Sequence, residues 1–172
     1  MGFARARRAV KKVAAFSLIA TVGSVGLAPG AEASMDVAGG GGGYSYKRAE
    51  RCMMRKVNHA RARRGHRKLD WDKQLAYVAR RHANSMADRG YIFHDSNLGQ
   101  EVTRWRSLGQ NTGKGSRCRR LFRAFMRSST HRHNILGHWR HMGVGTERRG
   151  GRLYIQHVFE TYRNPGNIYS YP

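Results

Sequence analysis

Acidic residues are scarce in this chain. Ten Asp and Glu stand against 33 Lys and Arg in 172 residues, a formal charge of +23. Cysteine is limited to two residues and proline to three, and no internal repeat is present. No Gly-x-Ser-x-Gly turn occurs, which removes the strand-to-helix nucleophile elbow, and no phosphate-binding glycine loop occurs. After Leu27 no apolar run is long enough to cross a bilayer.

The stretch 1–33 has the three parts of an export leader: basic Arg5, Arg7, Arg8, Lys11 and Lys12, an uncharged apolar run from Val13 to Leu27, and Ala31-Glu32-Ala33 before Ser34. A membrane anchor is the alternative. The apolar run is short for a span and contains Ser17, Gly23, Ser24 and Gly26, which favours cleavage. Arg7-Arg8 hints at the twin-arginine route, although the hydrophobic residues that should follow match poorly. Cleavage removes five basic residues and Glu32, which lowers +23 to +19 and leaves Ser34–Pro172, a length that fits one domain. The expected product is secreted, without a transmembrane segment, and monomeric.

Such a charge attracts any polyanion, whether nucleic acid, anionic lipid or acidic wall polymer. Arginine as the ordinary surface cation explains the same number, because charge alone names no partner. In an oxidising compartment Cys52 and Cys118 suggest one disulfide, the alternative being two buried thiols. The bridge would close a long loop, worth roughly 4 kcal/mol in the chain-entropy model.

Residues 34–46, with five consecutive glycines at 39–43, read as a linker, 47–162 as the folded domain and 163–172 as a tail. Met53, Val57 and Ala60 recur at helical spacing within Lys47–Arg64, which Gly65 ends. Leu69 to Asp72 reads as a turn that starts a second helix, in which Leu75, Val78, Ala79, His82 and Met86 share a face before Gly90. A third helix follows Ser116 as N-cap and buries Leu121, Phe122, Phe125 and Met126, with one or two further helical turns over Ser129–Leu136. Met142–Glu147 and Arg152–Phe159 then read as a hairpin, with Leu153, Ile155, His157 and Phe159 on one face. Shorter strands are expected near Tyr91–Phe93 and Gly109–Gly113. Helices before a terminal hairpin make an α+β layout.

An ordered set of short segments carries a family resemblance. They are Val57-Asn58-x-x-Arg61-x-x-x-Gly65, Leu69-x-Trp71-Asp72-x-x-Leu75-x-x-x-Ala79-x-x-x-Ala83-x-x-Met86, Phe93-His94-Asp95-Ser96, Leu108-Gly109-Gln110-Asn111-x-Gly113, Phe125-Met126-x-Ser128-x-x-His131-Arg132-x-Asn134-Ile135-Leu136 and Gly143-Val144-Gly145. The set resembles the CAP superfamily of cysteine-rich secretory proteins, antigen 5 and pathogenesis-related 1 proteins, nearest to its short bacterial SCP-like extracellular members. The resemblance implies a three-layer α-β-α sandwich with a small antiparallel sheet. It also implies a cleft of two histidines and two acidic residues that is sometimes metal-bound. His94 and His131 match the histidines. Gln110 stands where the family places a glutamate, and Ser128 where eukaryotic members place the other acid.

Those replacements decide the chemistry expected. Two imidazoles can begin a Zn²⁺ site at His94 and His131, but a stable site needs three or four protein ligands. An amide at 110 hydrogen-bonds but is no general base near neutral pH. Asn111, Arg132 and Asn134 read as structural, satisfying buried polar groups, with Asp70 or Asp95 as a partner for Arg132. The run His131-x-His133-x4-His138-x2-His141 matches no standard zinc spacing. A Cys-His protease loses its nucleophile to the bridge, and a His-Asn-His nuclease lacks its carboxylate and distal histidine. Three readings remain: an extracellular binding module for a lipid or anionic wall or surface polymer, a His-dependent or metal-assisted hydrolase, and a non-specific nucleic-acid binder without aromatic interleaving. The lost glutamate favours the first.

Overall fold

The computed structural model describes residues 46–161. The leader, nearly all of the glycine linker and the tail lie outside them. Within them run α1 (Arg48–Ala62), β1 (Asp70–Trp71), α2 (Lys73–Arg89), α3 (Leu98–Glu101), β2 (Ser107–Gly115), α4 (Cys118–Arg127), α5 (Ser129–Leu136), β3 (His141–Arg149) and β4 (Arg152–Thr161).

The strands form one sheet in the order β1-β3-β4-β2. β2, β4 and β3 pair antiparallel, as expected for a hairpin with a third strand beside it. The sheet is mixed, because the short β1 pairs parallel with β3 through Asp70 and Trp71 opposite His141 and Met142. The expected turn at 69–72 is therefore a short edge strand, followed by Asp72, whose carboxylate accepts from Leu75 N at 2.9 Å and caps α2. Gly90 ends α2 at φ 76°, a conformation that costs glycine little. Arg149 pairs with Arg152, so Gly150 and Gly151 alone make the hairpin turn, at φ 54° and 68°. Two consecutive positive φ values fit the primed turn that matches strand twist.

Three other expectations are corrected. Tyr91–Phe93 is not a strand: the segment leads irregularly from Gly90 towards short helix α3, with Tyr91 and Ile92 exposed. The N-cap of α4 is Arg117 rather than Ser116, and it makes no side-chain cap. Phe122 and Met126 are only partly buried at the edge of the core that Leu121 and Phe125 enter.

β4 is buried along nearly its whole length because both of its faces are covered. Leu153, Ile155 and Phe159 meet Met53, Met54 and Val57 of α1, Leu121 and Phe125 of α4 and Ile135 of α5. On the other face Val158 meets Leu75, Val78 and Ala79 of α2, and Tyr154 meets Ala83 and Met86. The strand alternation of period two thus divides one sequence between two helical layers, giving the expected α-β-α sandwich.

Two polar anchors tie the layers. The fully buried Glu50 carboxylate of α1 accepts from Thr146 N at 3.1 Å and Arg80 Nη2 of α2 at 2.5 Å, bridging past the sheet. Arg61 is buried at the end of α1, where its Nη1 donates to Ile135 O at 2.8 Å and Gly137 O at 2.9 Å. These carbonyls lie at the end of α5, where a helix ordinarily leaves its last acceptors unpaired. The expected Cys52–Cys118 disulfide is present and fastens α1 to the start of α4.

Candidate functional site

β2 and α5 bring the candidate residues together through amides. Asn134 Nδ2 donates to Gln110 O at 3.0 Å and to Asn111 Oδ1 at 2.9 Å, and Asn111 Nδ2 donates to His131 O at 3.1 Å. Asn111 and Asn134 thus tie α5 to β2. Arg132 is exposed and donates to Met126 O at 3.2 Å, so a carbonyl of α4 takes the place of the suggested partners Asp70 and Asp95.

Gln110 is fully engaged. Its Oε1 accepts from Asp95 N at 2.9 Å and from Gln156 Nε2 at 3.0 Å, and its Nε2 donates to Asp95 O at 3.0 Å. Clamping both main-chain groups of Asp95 needs one acceptor and one donor on the same side chain, which an amide offers and a carboxylate does not. This clamp fixes the loop that carries His94. The adjacent His82 Nε2 donates to Phe93 O at 2.8 Å, and its Nδ1 lies 3.8 Å from Asp95 Oδ2.

His94 is exposed and His131 half-buried. Burial first, and the charge of His94 second, push His131 below its usual pKa of 6.5. His131 Nδ1 lies 2.8 Å from Ser128 Oγ, and its ring sits 4.9 Å from that of Phe125. The two histidines and Ser128 therefore occupy one region, with Gln110 behind the His94 loop. The principal depression nearby, about 410 Å³, is walled by Arg81, His82 and Arg89 of α2 and by His94, Asp95 and Asn97. Of the four cleft candidates only His94 lines it.

The donor set does not fit Zn²⁺. Gln110 has spent its amide on the backbone, Ser128 supplies a neutral hydroxyl, and His94 and His131 are two ligands where a stable site needs three or four. Among the described residues no group of three or more His, Cys, Asp or Glu is arranged to hold a metal. The downstream histidines disperse: His133 and His138 are exposed, while His141 is buried on β3.

Sequence reasoning placed His157 on one face of the last strand with Leu153, Ile155 and Phe159 but attached no role to it. Its ring is fully buried, 4.9 Å from Phe125 and 5.8 Å from Phe159, and both ring nitrogens lack a protein hydrogen bond. Burial, then the charge of His131, push its pKa down to about 3. Glu160, cross-strand from His141, is the opposite case: burial, then Asp72, push it up to about 8. Neither residue stood out in the sequence, because strand alternation cannot tell a face covered by a helix from one facing water.

These two groups set opposite pH limits. The unfolded His157 takes up a proton below 6.5 and the folded one only near 3, so its contribution is full above pH 6.5 and is lost on acidification. The unfolded Glu160 ionises above 4.5 and the folded one near 8, so its contribution is full below pH 4.5 and is lost as pH rises. Between pH 4.5 and 6.5 the two slopes, each up to about 1.4 kcal/mol per pH unit, cancel. Glu160→Gln removes one of them. Urea midpoints of the variant relative to wild type are expected to climb steadily from pH 4.5 to 8, and a flat difference would show that Glu160 is ionised in the fold.

The model of the cysteine-rich secretory protein family (CAP) matches residues 54–162. The chain belongs to this family. Its fold is similar to that of an extracellular protein containing a SCP domain from Bacillus anthracis, with 26% identity and a TM-score of 0.60 over 66% of this chain and 40% of that one. It is also similar to an outer surface protein from Borrelia burgdorferi, at 13% identity, a TM-score of 0.61 and 66% and 92% of the two chains. A third is the venom allergen-like protein 4 of Schistosoma mansoni, at 15% identity and a TM-score of 0.57 over 67% and 89%. This chain thus spans less than half of the Bacillus protein, and the last two likenesses concern the fold. No curated protein matches the sequence. Among the described residues no helix is long and apolar enough to cross a membrane.

Proposed function

We propose that this chain is a secreted binding module of the CAP family that holds an anionic extracellular ligand, a wall or surface polymer or a lipid headgroup, without transforming it. The observation that carries this reading is the engagement of Gln110. At the position where the family resemblance implies a glutamate, the side chain is an amide bonded three times to Asp95 and Gln156. The other acidic position is Ser128, bonded to His131. A general base able to take a proton from water is thus missing from both positions. The His94 imidazole remains as a hydrogen-bonding group at the rim of a depression whose α2 wall carries Arg81 and Arg89. The extracellular setting of the Bacillus protein, the leader-like segment 1–33 and the disulfide all suit export.

The purified protein is expected to be retained on immobilised anionic polymer or on anionic vesicles at low salt and released as salt rises, because charge attraction between exposed groups is screened. No retention even at low salt would sink the reading. A hydrolytic activity that disappears in a His94→Ala, His131→Ala double variant would overturn its non-catalytic part.

A further inference from the structure

A second groove lies on the far helical layer, away from His94. Arg120 and Arg127 on α4 and Arg152 at the start of β4 surround a recess of about 310 Å³ beside the end of β2, floored by Leu121 and Ala124. Arg120 and Arg127 lie two helical turns apart, about 10 Å along one face of α4. Lys114 at the rim turns its ammonium to the other face of the sheet, where Nζ donates to Gly90 O at 2.7 Å and lies over the Tyr154 ring, so the groove's cations are the three arginines. The three arginines are exposed, and none of them is in an ion pair with an acid among the described residues. The reason lies in the sequence: between Glu101 and Glu147 there is no Asp or Glu at all, so β2, α4 and α5 have no acid of their own. The acids at the surface pair elsewhere, Asp70 with Arg67, Asp88 with Arg149 and Glu147 with Lys47.

We propose that this groove is a binding site for a linear phosphodiester polymer, read through its backbone phosphates. The inference rests on the anionic-ligand reading above and locates it. Arginine forks match phosphate oxygens bidentately, and all three cations of the groove are arginines. A linear polymer of regularly spaced charges releases condensed counterions when several are neutralised together, an advantage a row of cations on one helix exploits. No aromatic side chain lines the groove, so there is no platform for stacking bases. The large apolar side chains exposed among the described residues are Trp71, Tyr77, Tyr91 and Ile92, none of them on α4, so this face has nothing to insert into a bilayer.

The test uses soluble poly(glycerol phosphate), with polyglutamate and phosphatidylglycerol vesicles as separate arms. Two triple variants remove the same charge, Arg120→Gln with Arg127→Gln and Arg152→Gln in the groove, and Arg55→Gln with Arg63→Gln and Arg106→Gln at exposed positions elsewhere. The groove variant is expected to lose more than about tenfold in affinity for poly(glycerol phosphate), and its log-affinity against log-salt slope to fall by about 2–3. The other variant should stay within about twofold and keep its slope. Equal losses in the two variants would overturn the groove while leaving salt-sensitive retention intact. Equal binding of polyglutamate would overturn the phosphate assignment, and binding to vesicles but not to the soluble polymer would assign the surface to headgroups instead. Retention lost in every arm, wild type included, would remove the anionic-ligand reading itself. Circular dichroism melts close to that of wild type confirm that each variant is folded.

Discussion

Gly145→Ala is expected to leave too little folded protein to purify, or a domain destabilised by at least about 4 kcal/mol, the range reached when a mutation cannot be accommodated by side-chain movement. A Cβ at 145 would stand 1.9 Å from Arg80 N and 2.0 Å from Ala79 C. At 143 it would stand 2.1 Å from both Ala76 N and Leu75 C. Every one of these atoms is backbone of α2, so no rotamer change relieves the clash. Gly143 and Gly145 share one face of β3, and they let α2 lie directly on the strand. Moving α2 outward to make room would unpack Leu75, Val78 and Ala79 from Val158 and Leu108. Gly151→Ala is the control, since the position has open space around it and only its φ of +68° is unfavourable for a side chain. That strain costs about 1–2 kcal/mol. Denaturant melts of the two variants settle the matter: similar midpoints would mean that α2 can retreat from the sheet at little cost.

The same glycines show where sequence reading succeeds. Gly143-Val144-Gly145 drew attention as part of an ordered set, and its physical content is the approach of a helix to a strand that no other residue permits. The helices α1, α2 and α4 were legible because each carries an apolar stripe at helical spacing, and the terminal hairpin because two consecutive glycines punctuate two alternating segments. β1 was not legible. So short a strand holds no periodicity, and its pairing depends on Arg140 O and Met142 O, which accept from Asp70 N and Asp72 N from the far half of the domain. The N-cap at Ser116 failed because propensity is a local argument, whereas α4 starts where Cys118 must reach Cys52.

At the candidate site, the family resemblance located the residues but not their partners. Gln110 read as a lost acid, and the structure adds that its amide has a use, holding Asp95 by both main-chain groups. Arg61 belonged to a recognised segment, yet nothing local announced that its guanidinium would serve carbonyls at the distant end of α5. Buried Glu50 and Glu160 were invisible for a related reason. No local pattern marks an acid as buried, and only the fold reveals that these two lie inside.

Loss of the disulfide carries the other large effect. The Cys52→Ala, Cys118→Ala variant is expected to be less stable by about 4 kcal/mol, the loop-closure value for a sequence separation of 66. In a domain of roughly one hundred residues that lowers the melting temperature by about 15–30 °C. The effect belongs chiefly to the unfolded chain, which the bridge keeps compact. Cys118 is buried, and Cys52 only partly, so the side chains themselves contribute less. Two consequences separate this account from a simple loss of packing. Reduction of the wild-type protein should lower the midpoint by nearly the same amount as the double variant, because neither removes much core. The urea m-value should rise in both, because the released chain exposes more surface on unfolding. A midpoint unchanged by reductant would mean that the α1–α4 contact is held by Met53, Leu121 and their neighbours alone. A domain that draws this much of its stability from a bridge is suited to an oxidising compartment, where the bridge persists.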